Sequence, residues 1–343
     1  MSDKTGILLV NLGTPDSPHT ADVRKYLIEF LTDRRVIDIP YLQRQLLVRG
    51  IIAPFRAPKS AKTYQAIWTE NGSPLLYYSQ NLQQKVQAIF DKIAPKTFIV
   101  SLAMRYQSPS IASALAHLQQ HNVKKVLVLP LFPQYASATT GSIHEKVMQT
   151  LQKWWEIPDI RFINNFYDYA PMVRIFGENA KKMGLADYDY FVFSYHGLPE
   201  RQIKKADRQG HCLQQQNCCE KIDTHNQFCY RAQCFATTKA IATYLQLAEN
   251  KYVTTFQSRL GRDPWIQPYT SDKIEELAKK GIKKVMVFCP AFVADCLETI
   301  FEIGEEYAEL FEEHGGEKLT LVPSLNAQDE WAQAVVDLVG QYA

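Results

Sequence analysis

Short, almost unbroken apolar runs alternate along this chain with longer stretches in which apolar residues recur every three or four positions. Runs of the first kind suit parallel strands buried on both faces, and stretches of the second kind suit helices with one buried face. This pattern predicts strands at 6–12, 97–102, 125–130, 160–164, 189–194, 252–256, 284–290 and 319–322. It predicts helices at 21–31, 80–93, 109–120, 141–155, 171–183, 235–247 and 271–280, a long one after Pro290, and one at 327–341. Strands alternating with helices imply an α/β fold built on parallel sheets with right-handed crossovers. Residues 42–55 are apolar with Arg44, Arg49 and Arg56 interspersed. That segment reads as an amphipathic helix with a solvated face; the mouth of a site or a contact with a membrane surface are the other readings.

The two halves echo each other. Gly13-Thr14-Pro15 and Gly197-Leu198-Pro199 both follow a strand, and 124–130 resembles 283–290. We therefore expect two similar Rossmann-like domains, 1–158 and 159–326, joined at a linker over 157–159, with the terminal helix (327–343) packing back on the first. The glycine-rich G-x-G-x-x-G phosphate loop of dinucleotide-binding enzymes is absent.

Composition narrows the function classes. Lys and Arg total 38 against 36 Asp and Glu, a formal charge of +2, which makes no electrostatic case for nucleic acid. No apolar run approaches the roughly 20 residues of a spanning helix. Residues 1–12 lack the features of a signal peptide, so a cytoplasmic protein is expected. In a reducing compartment, seven cysteines argue for metal ligation or spare thiols rather than disulfides. Five of them fall between Cys212 and Cys234.

Two elements carry candidate chemistry. The strand ending at Ser194 runs into Tyr195-His196-Gly197, and Gly197 and Pro199 stop it at once. Ligands of open α/β sheets sit beyond the carboxyl ends of the strands, so His196 is delivered to the catalytic edge. After Pro290, Asp295, Glu298, Glu302, Glu305 and Glu309 step by three and four, one acidic stripe of an α-helix. Such a stripe is ordinarily a solvated face. Here Asp295 and Glu298 follow a strand end on the edge that presents His196, and an imidazole facing carboxylates suits a borderline divalent cation or a proton path.

The motifs Val10-Asn-Leu-Gly-Thr-Pro15, Ser194-Tyr-His-Gly-Leu-Pro199, Phe256-Gln-Ser-Arg-Leu-Gly261 with Trp265, and Phe292-Val-Ala-Asp-Cys-Leu-Glu-Thr299 resemble ferrochelatase signatures, in order and across nearly the whole chain. The resemblance implies two chelatase-type domains with a porphyrin cleft between them, and insertion of Fe2+ into protoporphyrin IX with release of two protons. Coproporphyrin as substrate, and a metal- or haem-binding protein without turnover, are the alternative readings. By similarity, His196 and Glu298 handle the iron and the pyrrole protons, their division of labour open. Glu302 extends the row as a proton or metal path, and Asp295 orients His196. Cys296 stands where many relatives carry histidine.

The porphyrin needs aromatic walls and partners for its propionates. Tyr195, Trp265 and Phe292 flank the motifs and would stack on the ring. The resemblance further assigns Arg56, Lys59, Ser73 and Ser258 to the propionates with Tyr64 nearby, and Arg105 and Tyr106 to the wall opposite His196. Cys212, Cys218, Cys219, Cys229 and Cys234 supply thiolates enough for a [2Fe-2S] centre, which takes four, and some ferrochelatases carry one. Zinc is the rival, although no C-x2-C pair is present. Cys218 or Cys219 would be the spare.

Overall fold

The computed structural model describes residues 4–215, 217–261 and 263–342. The chain divides into two compact units, one of residues 1–132, 137–164 and 326–343, the other of 133–136 and 165–325.

In the first unit, β1 (Thr5–Gly13), β2 (Phe98–Tyr106), β3 (Lys125–Pro130) and β4 (Asp159–Phe162) form a parallel sheet in the order β2-β1-β3-β4. The helices α1 (Thr20–Leu31), α2 (Tyr41–Leu46), α3 (Ala53–Ile67), α4 (Pro74–Ile93), α5 (Ile111–Gln120), α6 (Ser142–Leu151) and α12 (Asp329–Gly340) belong to it. Leu8, Val10, Val126 and Val128 meet Leu115 and Leu118 of α5 and Ile143 and Val147 of α6 in a buried core. Burying each such side chain is worth roughly 1.5–3 kcal/mol. Gly13 ends β1 at φ +120°, where a Cβ would stand 2.1 Å from the carbonyl oxygen of Tyr106, its register partner, so only glycine fits.

The second unit repeats the plan. Here β5 (Tyr190–His196), β6 (Tyr252–Gln257), β7 (Lys284–Phe288) and β8 (Lys318–Leu321) form a parallel sheet in the order β6-β5-β7-β8. With it go α7 (Ala170–Lys181), α8 (Glu200–Ala206), α9 (Tyr230–Tyr244), α10 (Thr270–Lys279) and α11 (Tyr307–Glu313). Val192, Val285 and Val287 pack with Ile274, Leu277, Ile303 and Phe311. The two sheets share one strand order, as the sequence echo requires.

Several expectations need correction. Residue 158 is not a boundary: β4 pairs with β3 in the first sheet, so that unit runs on to Asn164, and residues 133–136 already belong to the second. The helix after Pro290 opens not as an α-helix but as nine π-helical residues, Glu298–Glu306, before α11. Across 42–55, α2 continues through a π-helical stretch, Leu47–Ile52, into α3. That segment is amphipathic in reverse. Arg44 is buried and donates to the carbonyls of Thr32, Ile37 and Ile39, whereas Leu42, Leu46 and Phe55 are 72, 74 and 80% exposed. Helix α8, close behind the His196 turn, was not legible in the apolar pattern.

Candidate active site

In the second unit the strand order reverses at β5, whose neighbours are β6 and β7, and the carboxyl ends there are where an open sheet takes its ligands. His196 is the last residue of β5 and is half-buried. Its Nδ1 lies 2.7 Å from the carbonyl oxygen of Gly197. A carbonyl only accepts, so the neutral ring carries its proton on Nδ1 and a lone pair on Nε2. Among the described residues Nε2 has no hydrogen-bond partner. Gly197 is pressed between the Gln257 carbonyl, which its N–H meets at 2.8 Å, and the Trp265 indole; a Cβ there would stand 2.8 Å and 3.1 Å from them. The indole N–H of Trp265 is itself buried, without an acceptor among the described residues.

Gln257, the register partner of His196, joins this turn to the acidic helix. Its Oε1 accepts from Ser194 Oγ at 2.7 Å, which fixes the amide so that Nε2 donates to the main-chain carbonyl of Glu298 (2.9 Å) and to Glu302 Oε2 (3.1 Å). Ser258 donates to the same Glu302 carboxylate through its N–H (2.9 Å) and its hydroxyl (2.6 Å), and Tyr307 donates through its phenol (3.1 Å). Ser258 reaches it from φ +63°, the left-handed region. Glu302 is thereby a clamped carboxylate, and the Ser258 hydroxyl expected at a propionate is committed to it.

Glu298 opens the π-helix and is half-buried. A π-helical turn inside a helix commonly marks a functional site, and here its wider i→i+5 turn replaces the α-helical geometry on which the acidic stripe was drawn. The neighbouring Cys296 thiol is pushed well up by burial, then by the Glu298 charge and a hydrogen bond to it. Asp295 is buried, accepting from the Thr299 hydroxyl (3.1 Å) and the Ser324 N–H (3.4 Å). Glu305 and Glu309 are exposed.

The aromatic residues divide. Phe292 is half-buried and Trp265 lies against the His196 turn, but Tyr195 is wholly buried, its hydroxyl 2.9 Å from Thr238. Strand alternation sends it to the face opposite His196, so it is a core residue rather than the expected wall. In the first unit Arg56 and Lys59 are exposed on α3, whereas Tyr64 packs edge-on against Tyr26 and Ser73 accepts from the Thr14 hydroxyl at 2.9 Å. Arg105 and Tyr106 converge on Asp33, a residue the sequence reading missed. Its Oδ2 accepts from Arg105 (2.5 Å), Ser142 (2.5 Å) and Tyr106 (3.0 Å). Burial raises the Asp33 pKa, but hydrogen bonds from Ser142 and the Arg35 N–H and the Arg105 charge outweigh it and hold the carboxyl below its usual value.

All five clustered cysteines are buried. Cys218 and Cys219 have their sulfurs 3.7 Å apart, and Arg231 donates to Cys219 Sγ at 3.1 Å. The Cys229 thiol is pushed up to about 12, first by its hydrogen bond with Cys212, and Cys219 is raised first by its hydrogen bond with Cys229. The thiols thus form a chain of neighbours, and among the described residues no three His, Cys, Asp or Glu side chains are grouped to hold a metal ion. Tyr230, next to Cys229, donates to the His196 carbonyl at 2.9 Å, tying the thiol segment to the His196 turn.

Comparison with known proteins places the chain in a family. The ferrochelatase family model matches residues 4–343. A ferrochelatase of Legionella pneumophila (strain Lens) is 47% identical over 339 residues, 98% of this chain and 99% of that one. A ferrochelatase of Coxiella burnetii (strain Dugway 5J108-111) is 46% identical over 338 residues, 98% of this chain and 93% of that one. Among solved structures, SirB from Bacillus subtilis with Fe3+ aligns at a TM-score of 0.54 and 12% identity, covering 99% of this chain and 96% of that one, a likeness of fold. With a family model spanning the described chain and relatives near half-identical over almost all of it, this protein belongs to the ferrochelatase family.

Proposed function

We propose that this protein inserts Fe2+ into protoporphyrin IX to form protohaem with release of two protons, the last step of haem synthesis. The family supports the reaction. The observation that carries the site is that adjacent strands, β5 and β7, lead to His196, whose Nε2 has no partner among the described residues, and to Glu298 at the head of a π-helix, with Gln257 bonded to both segments.

Two pyrrole protons must leave before a porphyrin can hold a divalent cation in its plane. His196 is the base of this reading: the Gly197 carbonyl against Nδ1 stabilises the imidazolium that forms when Nε2 takes a proton. Glu298 offers carboxylate oxygens to the incoming iron, and Glu302, clamped by four donors, holds the helix that carries it. The Trp265 N–H, without an acceptor among the described residues, and the Phe292 ring suit the aromatic substrate. Anaerobic protein with Fe2+ should quench protoporphyrin IX fluorescence catalytically. Turnover of coproporphyrin alone would reassign the substrate, and binding without turnover of either porphyrin would refute the enzyme reading.

We further propose a [2Fe-2S] centre held by Cys212, Cys219, Cys229 and Cys234, with Cys218 the spare. The donor set supports it. Cys212 disfavours ionisation of Cys229, and Cys229 that of Cys219, a conflict that a cation removes. Cys219 and Cys229 interact with each other and with Cys234, whereas Cys218 contacts Cys219 and the Leu213 N–H. Such a centre supplies a one-electron couple and a cross-link. Iron and sulfide in anaerobically prepared protein would support it, and zinc or no metal would refute it.

The seven free thiols suit the cytoplasmic location we retain here. The outward Tyr41, Leu42, Leu46, Ile51 and Phe55, with exposed Arg49 and Arg56 beside them, support a peripheral contact with an anionic membrane surface, which vesicle co-sedimentation would test.

A further inference from the structure

On the reading that His196 takes the pyrrole protons, we infer that Tyr230 is a positioning residue that holds the His196 ring in its working tautomer. The phenol of Tyr230 donates to the His196 carbonyl at 2.9 Å. The N–H of the same peptide unit, that of Gly197, donates to the Gln257 carbonyl at 2.8 Å. Both polar ends of one planar unit are therefore bonded, and the plane is fixed against rotation. The next carbonyl along, that of Gly197, is the one that stands 2.7 Å from Nδ1 of His196.

The turn needs this hold because a glycine lies at its centre. Glycine is the most permissive residue of a chain, so its carbonyl swings easily unless the peptide before it is anchored. A bulkier, stiffer residue has no room here, since a Cβ would stand 2.8 Å from the Gln257 carbonyl. Gln257 anchors one end of the peptide from the neighbouring strand. Tyr230 anchors the other as the first residue of α9, where it is 7% exposed. That helix is seated along one face: Tyr230, Gln233, Cys234 and Thr237 recur at three- and four-residue spacing, and all four are buried.

The tautomer decides what His196 can do. A neutral imidazole carries one N–H, and the bond made by one ring nitrogen sets where that proton sits. With the Gly197 carbonyl against Nδ1 the proton is there, and Nε2 keeps the lone pair that takes a proton. Once that carbonyl swings away, no bond among the described residues holds the proton on Nδ1. A ring protonated on Nε2 cannot serve as the base. The loss falls on the chemical step rather than on porphyrin binding, because no group that would meet the porphyrin is removed.

The test compares the full-length wild type with Tyr230→Phe and Tyr190→Phe. Tyr190 opens the strand that His196 closes, and its phenol also donates to a main-chain carbonyl, that of Tyr252 at 3.3 Å. Nuclear magnetic resonance of protein labelled in its histidine nitrogens, at alkaline pH where histidine rings are neutral, reads the tautomer. The His196 signals are those lost in His196→Ala. Tyr230→Phe should move His196 from the Nδ1-protonated pattern towards the Nε2-protonated one. It should also lower kcat by roughly 10–100-fold, the loss that removing an orienting partner brings, with porphyrin KM little changed. Tyr190→Phe should keep the wild-type tautomer and turnover. An unchanged His196 signature or an unchanged kcat in Tyr230→Phe would overturn the inference, as would the Nε2-protonated pattern in wild type. Equal losses of kcat in the two phenylalanine variants would reduce the phenol to general stability and overturn it as well. Wild-type protein that turns over neither porphyrin would remove the base role, whereas the ring signature would still decide whether Tyr230 sets the tautomer.

Discussion

Gln257 donates from its side-chain amide to the main-chain carbonyl of Glu298 at 2.9 Å, while its own carbonyl accepts from the N–H after His196 at 2.8 Å. One buried residue therefore fixes both chemical groups of the site relative to each other, and its amide cannot flip because Ser194 donates to Oε1. Gln257→Leu keeps the volume and abolishes these side-chain bonds. It takes the side-chain donor from the Glu298 carbonyl and one of four donors from Glu302, while the Ser194 hydroxyl keeps its bond to Thr270 at 2.8 Å, a cost of about 1–3 kcal/mol. We expect kcat to fall by roughly 10–100-fold, the loss that a misplaced catalytic group brings, with porphyrin KM little changed. Loss confined to KM, measured in steady state, would contradict the role.

His196→Ala should reduce kcat/KM by about 10²–10⁴-fold, as removal of a positioned base does. Porphyrin binding, followed by fluorescence titration, should persist because Trp265 and Phe292 remain. Near-native turnover in the folded variant would dismiss His196 as the base.

Glu298→Gln should cost activity on the same scale, and Glu309→Gln should cost less than about threefold. The first sits at the head of the π-helix and the second is exposed on α11. Equal losses in parallel assays would mean that the acidic row acts only as a whole.

His144 lies 4.3 Å from the Phe162 ring with Nε2 buried and without a partner among the described residues, and burial, then the Arg35 charge, lower its pKa from 6.5 to about 4. Between those values the unfolded chain binds a proton that the folded protein refuses. Its contribution is therefore complete above about pH 6.5 and lost as the pH falls towards about 4. His144→Phe should keep the ring contact and flatten that part of the profile. Urea midpoints at about pH 7.5 and about pH 5 should differ less in the variant than in wild type; an unchanged difference would exclude His144 as the titrating group.

Asp33→Asn should be among the most damaging changes in the first unit. It leaves Arg105 without its buried anion, a loss of about 3–5 kcal/mol. Because the Asp33 pKa is depressed in the folded state, that contribution is present above its unfolded value and lost as the pH falls through its folded one. Thermal unfolding at neutral pH should show the difference, and a melting temperature within a degree or two of wild type would show that Arg105 finds another partner.

The sequence by itself determined that strands alternate with helices in two similar halves, because strands buried on both faces must be written as continuous apolar runs and nothing distant is needed to recognise them. It also determined that His196 closes a strand: Gly197 and Pro199 are local signals. The division between units was not local. Whether 159–162 pairs with β3 or opens the second sheet depends on register with Lys125–Val128, which only the assembled sheet decides. The same holds for Tyr195 and Ser258, which the motifs place beside the site and the structure spends on Thr238 and Glu302. Hydrogen-bond partners far apart in the chain leave no periodic trace, so the bonds made by Gln257, Asp33 and Arg231 were not legible in the sequence. The π-helical turn at Glu298 was hidden for a related reason: the three-and-four spacing of its carboxylates suits an α-helix equally well, and only bonds from Gln257 and Ser258 across to Glu298 and Glu302 hold the wider turn in place.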